Sequence, residues 1–435
     1  MTTTQRDGTA KPATWIDTLR GNFSPLRIPN FRIYISGQAV SLVGTWLQTT
    51  AQGWVVWQLS HSPAALGIVG MLNTLPILLL GPWAGVWADR LNRRWVLIGT
   101  QSVAMTLAFV LAILTQTGLV QLWHVYVLAT CLGIVTAIDF PAQQAFIGDL
   151  SGMSEVRRAV NVNAMVLQVS RMLGPALAGV VVNSLGASVA FWLNGLSFLA
   201  VIASLVAVQS AQAAHHESGR SALGEFVDAL GFVRRQPRLQ DLIFFVILVT
   251  FFGLAVLSIM PAVASQMLHG GADTLGLLLA MSGAGALVAT VVLVPIAQSA
   301  RKTGLMVSGA VIWMGACYVV VSFASGLLPL ALLGVFCFSL GAPVVITMAL
   351  GLLQVLAPPG MRARILSLFV MVSFGMQPIA SLLIGYSASA LGTPVAIRIN
   401  GIGLILGGLS VLLMRSDLRQ WEANRAVAAA ESGRG

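Results

Sequence analysis

The sequence contains very little charge for its length. Only 9% of the 435 residues are charged, whereas 57% are hydrophobic. A soluble domain carries charge on about 25% of its residues. So few charged side chains could not cover a soluble protein of this size, and a disordered chain would hold far fewer hydrophobic residues. The composition therefore predicts a protein that crosses a membrane several times.

Cysteine is also scarce. Three cysteines are too few for a disulfide framework, and because Cys131, Cys317 and Cys337 lie in apolar runs we interpret them as packing residues. His215 and His216 have no cysteine nearby, so we expect no metal site. No Gly-x-x-x-x-Gly-Lys-Ser/Thr loop occurs, which excludes an ATP site of that kind. No spacing indicates a Ser/His/Asp set, and we predict neither a cofactor nor an enzyme.

Long apolar runs dominate the rest of the chain. A helix needs about 20 mainly apolar residues to cross the hydrocarbon core. Runs of this length predict twelve spans, near 31–59, 64–88, 95–117, 121–146, 158–184, 187–208, 240–267, 273–298, 304–325, 327–355, 363–391 and 393–414. The strands of a β-barrel would instead alternate over about ten residues. The fold class predicted is an all-α membrane protein.

The positive charges predict the orientation of the chain. Of the 24 Lys and Arg residues, all but Arg171 and Arg398 fall in the termini, in every second loop or at the membrane edges. The positive-inside rule then places both termini in the cytoplasm. The first thirty residues have no hydrophobic region or cleavage site typical of a signal peptide. The net charge of +10 is explained by orientation and by anionic lipid headgroups, so we expect no nucleic-acid partner.

A polar stretch divides the chain into two similar halves. We predict a tail over 1–30, a six-helix bundle over 31–208, a linker over 209–238, a second bundle over 239–414 and a tail over 415–435. Residues 185–195 and 391–401 are identical at six of eleven positions, at a constant offset of 206. A parallel 6+6 repeat is the architecture of major facilitator transporters, which bind substrate near the midplane between the halves. Chance similarity between two segments of an unrelated helix bundle is the alternative.

The loop after the second span has a distinctive pattern of glycine, aspartate and arginine. Its candidate gating residues are Gly85, Asp89, Arg90, Arg93 and Arg94. The segment resembles the major facilitator loop motif Gly-x-x-x-Asp-Arg-x-Gly-Arg-Arg, with Asn92 replacing the second glycine. We expect Asp89 to pair with a basic group in one conformation and release it in another. For the arginines taken singly, ordinary positive-inside charge is the alternative.

Further stretches narrow the resemblance. They are Asn30-Phe31-Arg32, Ser41-x-x-Gly44-x-Trp46-x-Gln48-Thr49, Gly53-Trp54, Pro141-Ala142-Gln143-Gln144-Ala145-Phe146 and the segment 171–179. The chain resembles the enterobactin-exporter-like branch, also called transmembrane secretion effectors, in which arginine is frequent at the position of Gln143. Gly174, Pro175 and Gly179 also resemble a span-five motif of proton-coupled drug antiporters. A packing kink without a coupling role is the alternative for that motif.

The resemblance implies a function. It implies a monomeric secondary transporter of the bacterial inner membrane that exports a small organic molecule, siderophore-like or hydrophobic and drug-like, by alternating access. The proton gradient is the implied energy source. An importer or facilitator of the same fold is one alternative, and a receptor or scaffold that moves no solute is another.

A stripe of polar side chains marks the first span. Spacings of three and four place Gln38, Ser41, Thr45, Gln48 and Gln52 on one helical face. We expect this face to line a water-filled cavity, because such a stripe would be costly in lipid. Hydrogen bonding that only holds helices together is the alternative. Asn161 and Gln168 on span five and Gln377 on span eleven are further cavity-lining candidates.

Two ionisable residues lie well inside spans of the first half. Intramembrane charges are costly and usually functional or paired. Three roles remain open for Asp139 and Arg171: Asp139 as carrier of the driving proton, Arg171 as ligand of an anionic substrate group, or a static pair of the two. Arg398 lies near the outer end of span twelve, where we expect a structural role.

Overall fold

The structure is a computed structural model that describes residues 23–208, 230–299, 303–358 and 361–414. Within these ranges the side chains of 82–90, 153, 238, 299, 362–364, 367 and 414 are not described. Most of the two predicted tails and of the predicted linker lies outside the described residues.

The first half consists of six helices. They are α1 (Pro29–Ser60), α2 (Pro63–Arg90), α3 (Arg93–Gln116), α4 (Leu122–Gly152), α5 (Ser154–Leu185) and α6 (Ala187–Ala207). The first helix ends fall between the predicted spans. α1 is followed by His61, which has a φ of 46°, and the turn after α3 contains Gly118 with a φ of 71°. Asn92 caps α3 by accepting a hydrogen bond from the backbone N–H of Arg94, so this turn forms without the motif's second glycine.

The junction between α4 and α5 differs from the prediction. We expected a loop over 147–157, but helix continues from Leu122 to Leu185 with one break, at Gly152, where φ is 71° and ψ is 164°. Glycine takes this conformation without a Cβ clash. The polar residues beyond it remain helical, and Arg158 pairs with Glu155 at 2.8 Å, one turn apart. A single glycine therefore replaces the expected loop.

The second half has six corresponding spans. They are α7 (Leu239–Met267), α8 (Ala272–Gln298), α9 (Thr303–Val321), α10 (Leu328–Leu356), α11 (Arg362–Leu391) and α12 (Thr393–Met414). α7 is irregular, with π-helical turns at Val249–Gly253 and Val263–Met267 and a 3₁₀ segment at Leu254–Ile259. The hydroxyl of Tyr318 donates to the Gly253 carbonyl oxygen at 2.7 Å, which satisfies one backbone group at the first π-turn.

The lengths and hydropathies of these helices confirm a membrane protein. In the described part of the chain, eleven helices are long and apolar enough to span a bilayer, and they correspond to every predicted span except the first. α1 is 32 residues long, but its glutamines, serines and threonines lower its mean hydropathy. With α1 included, the twelve predicted spans are all present as helices.

The two halves repeat the same local structure. α6 and α12 each begin after a glycine with a φ of 88°, Gly186 and Gly392, which are 206 positions apart. α3 packs on α6, and α9 packs on α12. One end of the bundle, here called the distal end, contains the helix ends at residues 61–62, 117–121, 186, 268–271, 322–327 and 392. The opposite end, which includes 91–92 and 152, is called the proximal end.

Candidate functional site

The two halves meet through close helix crossings in the distal part of the bundle. Gly67 and Gly70 of α2 face Ser381 and Gly385 of α11. A Cβ atom added to Gly385 would lie 2.8 Å from the Cα atom of Gly67, which is closer than real Cβ contacts. These small residues therefore let the two backbones touch, as in the small-residue crossings of other membrane helices.

A second crossing, between α5 and α8, follows the same pattern. A Cβ atom added to Gly276 would lie 2.6 Å from the carbonyl oxygen of Pro175 and 2.7 Å from the Cα atom of Gly179. Gly276 lies 206 positions after Gly70, and Gly385 lies 206 positions after Gly179. The offset seen in the sequence repeat therefore relates the two crossings, so the halves close on each other through equivalent contacts.

The predicted span-five motif lies at these contacts. Gly174 packs against α1, where its added Cβ atom would lie 2.5 Å from the Cβ atom of Trp46. Pro175 and Gly179 pack against α8. The three residues thus allow α5 to touch a helix of each half. A coupling role for this motif stays a prediction.

Arg171 lies further along the contact between α5 and α8, toward the proximal end. It is one turn from Pro175, and a Cβ atom added to Gly283 of α8 would lie 2.7 Å from the Arg171 carbonyl oxygen. The Arg171 guanidinium lies over the ring of Trp46, 5.5 Å from the ring centroid. Gln168 continues this face of α5 toward the proximal end and is partly buried, and Asn161 lies further along it and is exposed.

Asp139 lies in a different environment, between helices of the first half. Its Oδ1 atom is 2.5 Å from the Thr100 Oγ1 atom and accepts a hydrogen bond from Gln101 Nε2 at 3.0 Å. The buried hydroxyl of Tyr34 is a further polar neighbour. Among the described residues Asp139 forms no ion pair with Arg171. The static pair between the two, one of the three roles left open, is therefore not present in this conformation.

The polar stripe of α1 is mostly buried by neighbouring helices. Gln38, Ser41, Gln48 and Gln52 are buried, and Thr45 is partly buried. Gln48 Oε1 accepts a hydrogen bond from Asn194 Nδ2 of α6 at 2.8 Å. Gln48 therefore contacts another helix in this conformation, and the cavity-lining role expected of the stripe stays a prediction, because helix periodicity does not fix which neighbour a polar face meets. Contact between helices is the arrangement observed there.

The described part of the loop motif connects helices within the first half. Arg93 Nη1 lies 2.7 Å and 2.9 Å from the two carboxylate oxygens of Asp149, at the end of α4. Arg94 Nη2 donates to the Val206 carbonyl oxygen of α6 at 2.5 Å. The side chains of Gly85, Asp89 and Arg90 lie outside the described residues, and their gating role stays a prediction.

The remaining polar candidates occupy the second half. Gln377 is partly buried on α11, one turn before Ser381, so it lies on the α11 face that meets α2. Arg398 Nε donates to Ser322 Oγ at 3.2 Å, and its guanidinium lies 4.1 Å from the Phe323 ring centroid. These contacts hold Arg398 at the distal end of α12, and its structural role stays a prediction.

Sequence reasoning missed several partners. They are Trp46, Thr100, Gln101, Asp149 and Asn194. Two of them carried a usable signal: Asp149 is an acidic residue close to a basic loop, and Asn194 recurs as Asn400 in the repeat. For the other three, the sequence contains no pattern that identifies their neighbours.

Comparison with known proteins places the chain in a family. Residues 20–432 match the family model described as transmembrane secretion effector. The staphyloferrin A transporter of Staphylococcus aureus is 25% identical over 86% of this chain and 93% of its own length. The enterobactin exporter EntS of Citrobacter koseri is 26% identical over 90% of this chain and 93% of its own length. The multidrug efflux pump Tap of Mycolicibacterium fortuitum is 25% identical over 86% of this chain and 92% of its own length.

Solved structures with the same fold are more distant in sequence. An inward-facing, occupied bacterial homologue of the human lysosomal transporter Spinster has a TM-score of 0.70 at 12% identity, covering 92% of this chain and 99% of its own. A D-xylose–proton symporter has a TM-score of 0.68 at 14% identity, and the match covers 89% of this chain and 100% of the symporter. These similarities confirm the twelve-helix fold of two six-helix bundles.

Proposed function

Because the chain belongs to the transmembrane secretion effector family of major facilitator transporters, we propose that it exports a small organic molecule across the bacterial inner membrane by proton-driven alternating access. It is a multi-pass membrane transporter of small molecules. In the proposal it acts as a monomer with both termini in the cytoplasm. The proximal end of the bundle then faces the cytoplasm and its anionic lipid headgroups.

The observation that carries the proposal is the pair of crossings related by the repeat. Contacts between the halves include Gly67–Gly385 and Gly179–Gly276, and toward the middle of the helices Arg171–Gly283 and Phe140–Phe374. The α5 face beyond Arg171 carries Gln168 and Asn161, which are not fully buried. This arrangement supports a conformation closed at the distal end, in which a cytoplasmic solute enters from the proximal end.

The relatives indicate the class of solute. One is named as a transporter of staphyloferrin A, one as an exporter of enterobactin and one as a multidrug efflux pump. The first two molecules are siderophores, and the third name covers diverse drugs. We therefore propose a siderophore-like or hydrophobic, drug-like solute for this chain.

Asp139 is the proposed carrier of the driving proton. Its observed partners, Thr100 and Gln101, are neutral. A hydroxyl group both donates and accepts hydrogen bonds, so Thr100 can bond to the protonated and to the ionised carboxyl group. These partners therefore suit a side chain that alternates between the two forms during transport.

Everted membrane vesicles test the direction and the energy source. The solute is first identified as the metabolite that a deletion strain retains and its parent releases, compared under iron limitation and in rich medium. Accumulation of this solute in everted vesicles that requires the proton gradient supports export. Uptake only into right-side-out cells would instead indicate an importer. Absence of flux in proteoliposomes that contain the folded protein would indicate a receptor or scaffold.

A further inference from the structure

The two arginines inside the membrane spans have contrasting surroundings. Arg398 donates a hydrogen bond to Ser322 and stacks on Phe323. Arg171 stacks on Trp46, and no hydrogen bond or ion pair of its guanidinium is observed with the described residues; the hydroxyl group of Tyr318, which donates to the Gly253 carbonyl oxygen, is an electrostatic neighbour. The ion pairs Arg93–Asp149 and Arg158–Glu155 lie near the proximal end. Arg171 is therefore a cation inside the bundle with which no described residue forms an ion pair.

The stacking contact with Trp46 does not replace the hydrogen bonds that the Arg171 guanidinium would form in water. An arginine keeps its positive charge in proteins and presents five N–H donors in a planar fork. Removing such a group from water without hydrogen-bonding partners is costly. The indole ring of Trp46 has no nitrogen or oxygen atom that accepts a hydrogen bond. The contact with Trp46 fixes one side of the guanidinium and leaves its donors available.

The position of Arg171 makes these donors accessible to a solute between the halves. Arg171 lies near the middle of α5, where its backbone meets Gly283 of α8. It is partly exposed, and Gln168 and Asn161 follow on the same face of α5 toward the proximal end. In the proposed export pathway, a solute that enters between the halves from that end would meet two amide side chains and then the guanidinium.

We propose that Arg171 is the anion-binding group of the solute site, and that it forms charge-assisted hydrogen bonds with a carboxylate or similar planar oxyanion of the exported molecule. The inference rests on the proposed export function and specifies its substrate class. A guanidinium binds such a group through two parallel N–H···O bonds. Trp46 orients the guanidinium, and Gln168 supplies a neutral hydrogen-bonding group one turn away. Asp139 has its own partners and does not neutralise Arg171.

Matched pairs of small molecules test the proposal on the purified full-length protein. Equilibrium dialysis compares citrate with its trimethyl ester, and benzoate with its methyl ester, so that each pair differs in the anionic group. We expect the wild type to prefer at least one anion over its ester. Arg171→Gln should reduce that preference by about tenfold or more, because two charge-assisted hydrogen bonds are lost, and should leave binding of the ester unchanged.

The matched control is Arg398→Gln, which removes the other intramembrane arginine and should preserve the anion preference. Gln168→Glu provides a test that leaves Arg171 in place, because the new carboxylate, one turn away, should pair with Arg171 and displace the anion. This second variant decides the question if Arg171→Gln does not fold.

Four results would overturn the proposal. These are a wild type without any anion preference, an Arg171→Gln protein that keeps the preference, an equal loss in Arg398→Gln, and a Gln168→Glu protein that binds anions as the wild type does. A failure of the export proposal would look different, because the wild type would bind the anion and show no flux in proteoliposomes.

Discussion

Gly179 of α5 and Gly276 of α8 pack backbone to backbone across the boundary between the two halves. A Cβ atom on Gly276 would lie 2.7 Å from the Cα atom of Gly179. The contact between Gly67 and Gly385 provides the equivalent crossing on the other side of the bundle. Alternating access requires both crossings to form and to separate, so each should be sensitive to a single methyl group.

We expect Gly276→Ala to disfavour the distal-closed conformation. Overpacking of this kind costs about 1–3 kcal/mol, which changes the ratio of two conformations by roughly 5- to 150-fold. The distance between spin labels attached at Leu119 and Leu327, two exposed residues of the distal loops, should lengthen. Gly309→Ala is the control, since its added Cβ atom would meet nothing within 4 Å. Unchanged label distances in Gly276→Ala would contradict a gating role for this crossing.

Asp139→Asn should uncouple transport from the proton gradient. The amide has nearly the same size as the carboxyl group and can still bond to Thr100, but it cannot take up and release a proton. We expect accumulation against a gradient to be lost in everted vesicles, while exchange of solute at equal concentrations continues. A folded Asp139→Asn protein that accumulates solute as the wild type does would exclude Asp139 as the proton carrier.

The ion pair of Arg93 and Asp149 should stabilise the first half. Its side chains are 26% and 14% exposed, so we expect about 1–2 kcal/mol, between the values for exposed and for buried charge-assisted bonds. Arg93→Gln and Asp149→Asn should each lower the thermal unfolding midpoint in detergent. The double variant should be less destabilised than the sum of the two single variants. Strictly additive effects would show that the two side chains act independently.

The repeat-related asparagines should differ in their contribution to stability. Asn194 donates to Gln48 of another helix, whereas Asn400 donates to the carbonyl oxygen of Ala396 in its own helix at 2.9 Å. Hydrogen bonds between membrane helices contribute about 0.6 kcal/mol on average and up to about 1.7. We expect Asn194→Ala to lower the unfolding midpoint and Asn400→Ala to lower it less. Equal effects would indicate that the Gln48 contact adds nothing.

The fold could be predicted from the sequence because hydropathy and glycine positions act locally. Apolar runs located the spans, and the shared Leu-Gly start of segments 185–195 and 391–401 marked two equivalent turns. The α4–α5 junction was missed because one glycine, Gly152, is sufficient for the turn. Neither the length nor the polarity of 147–157 indicates that its helix continues.

The site was predicted only in part, because periodicity defines a helical face without its rotation in the bundle. The polar stripe of α1 was correctly placed on one face, but Gln48 contacts Asn194. Asp139 and Arg171 were both identified as exceptional residues. Residue spacing does not reveal their separate partners. Asp139 contacts Thr100 on α3, and Arg171 contacts Trp46 on α1.

The most direct test of proton-driven export uses everted vesicles that are energised by respiration, with a fluorescent dye that reports the internal acidity. Addition of the solute retained by the deletion strain should release protons from wild-type vesicles while the solute accumulates inside. Vesicles with Asp139→Asn should do neither. Solute accumulation that persists after the proton gradient is collapsed, or that occurs only in right-side-out cells, would contradict the account.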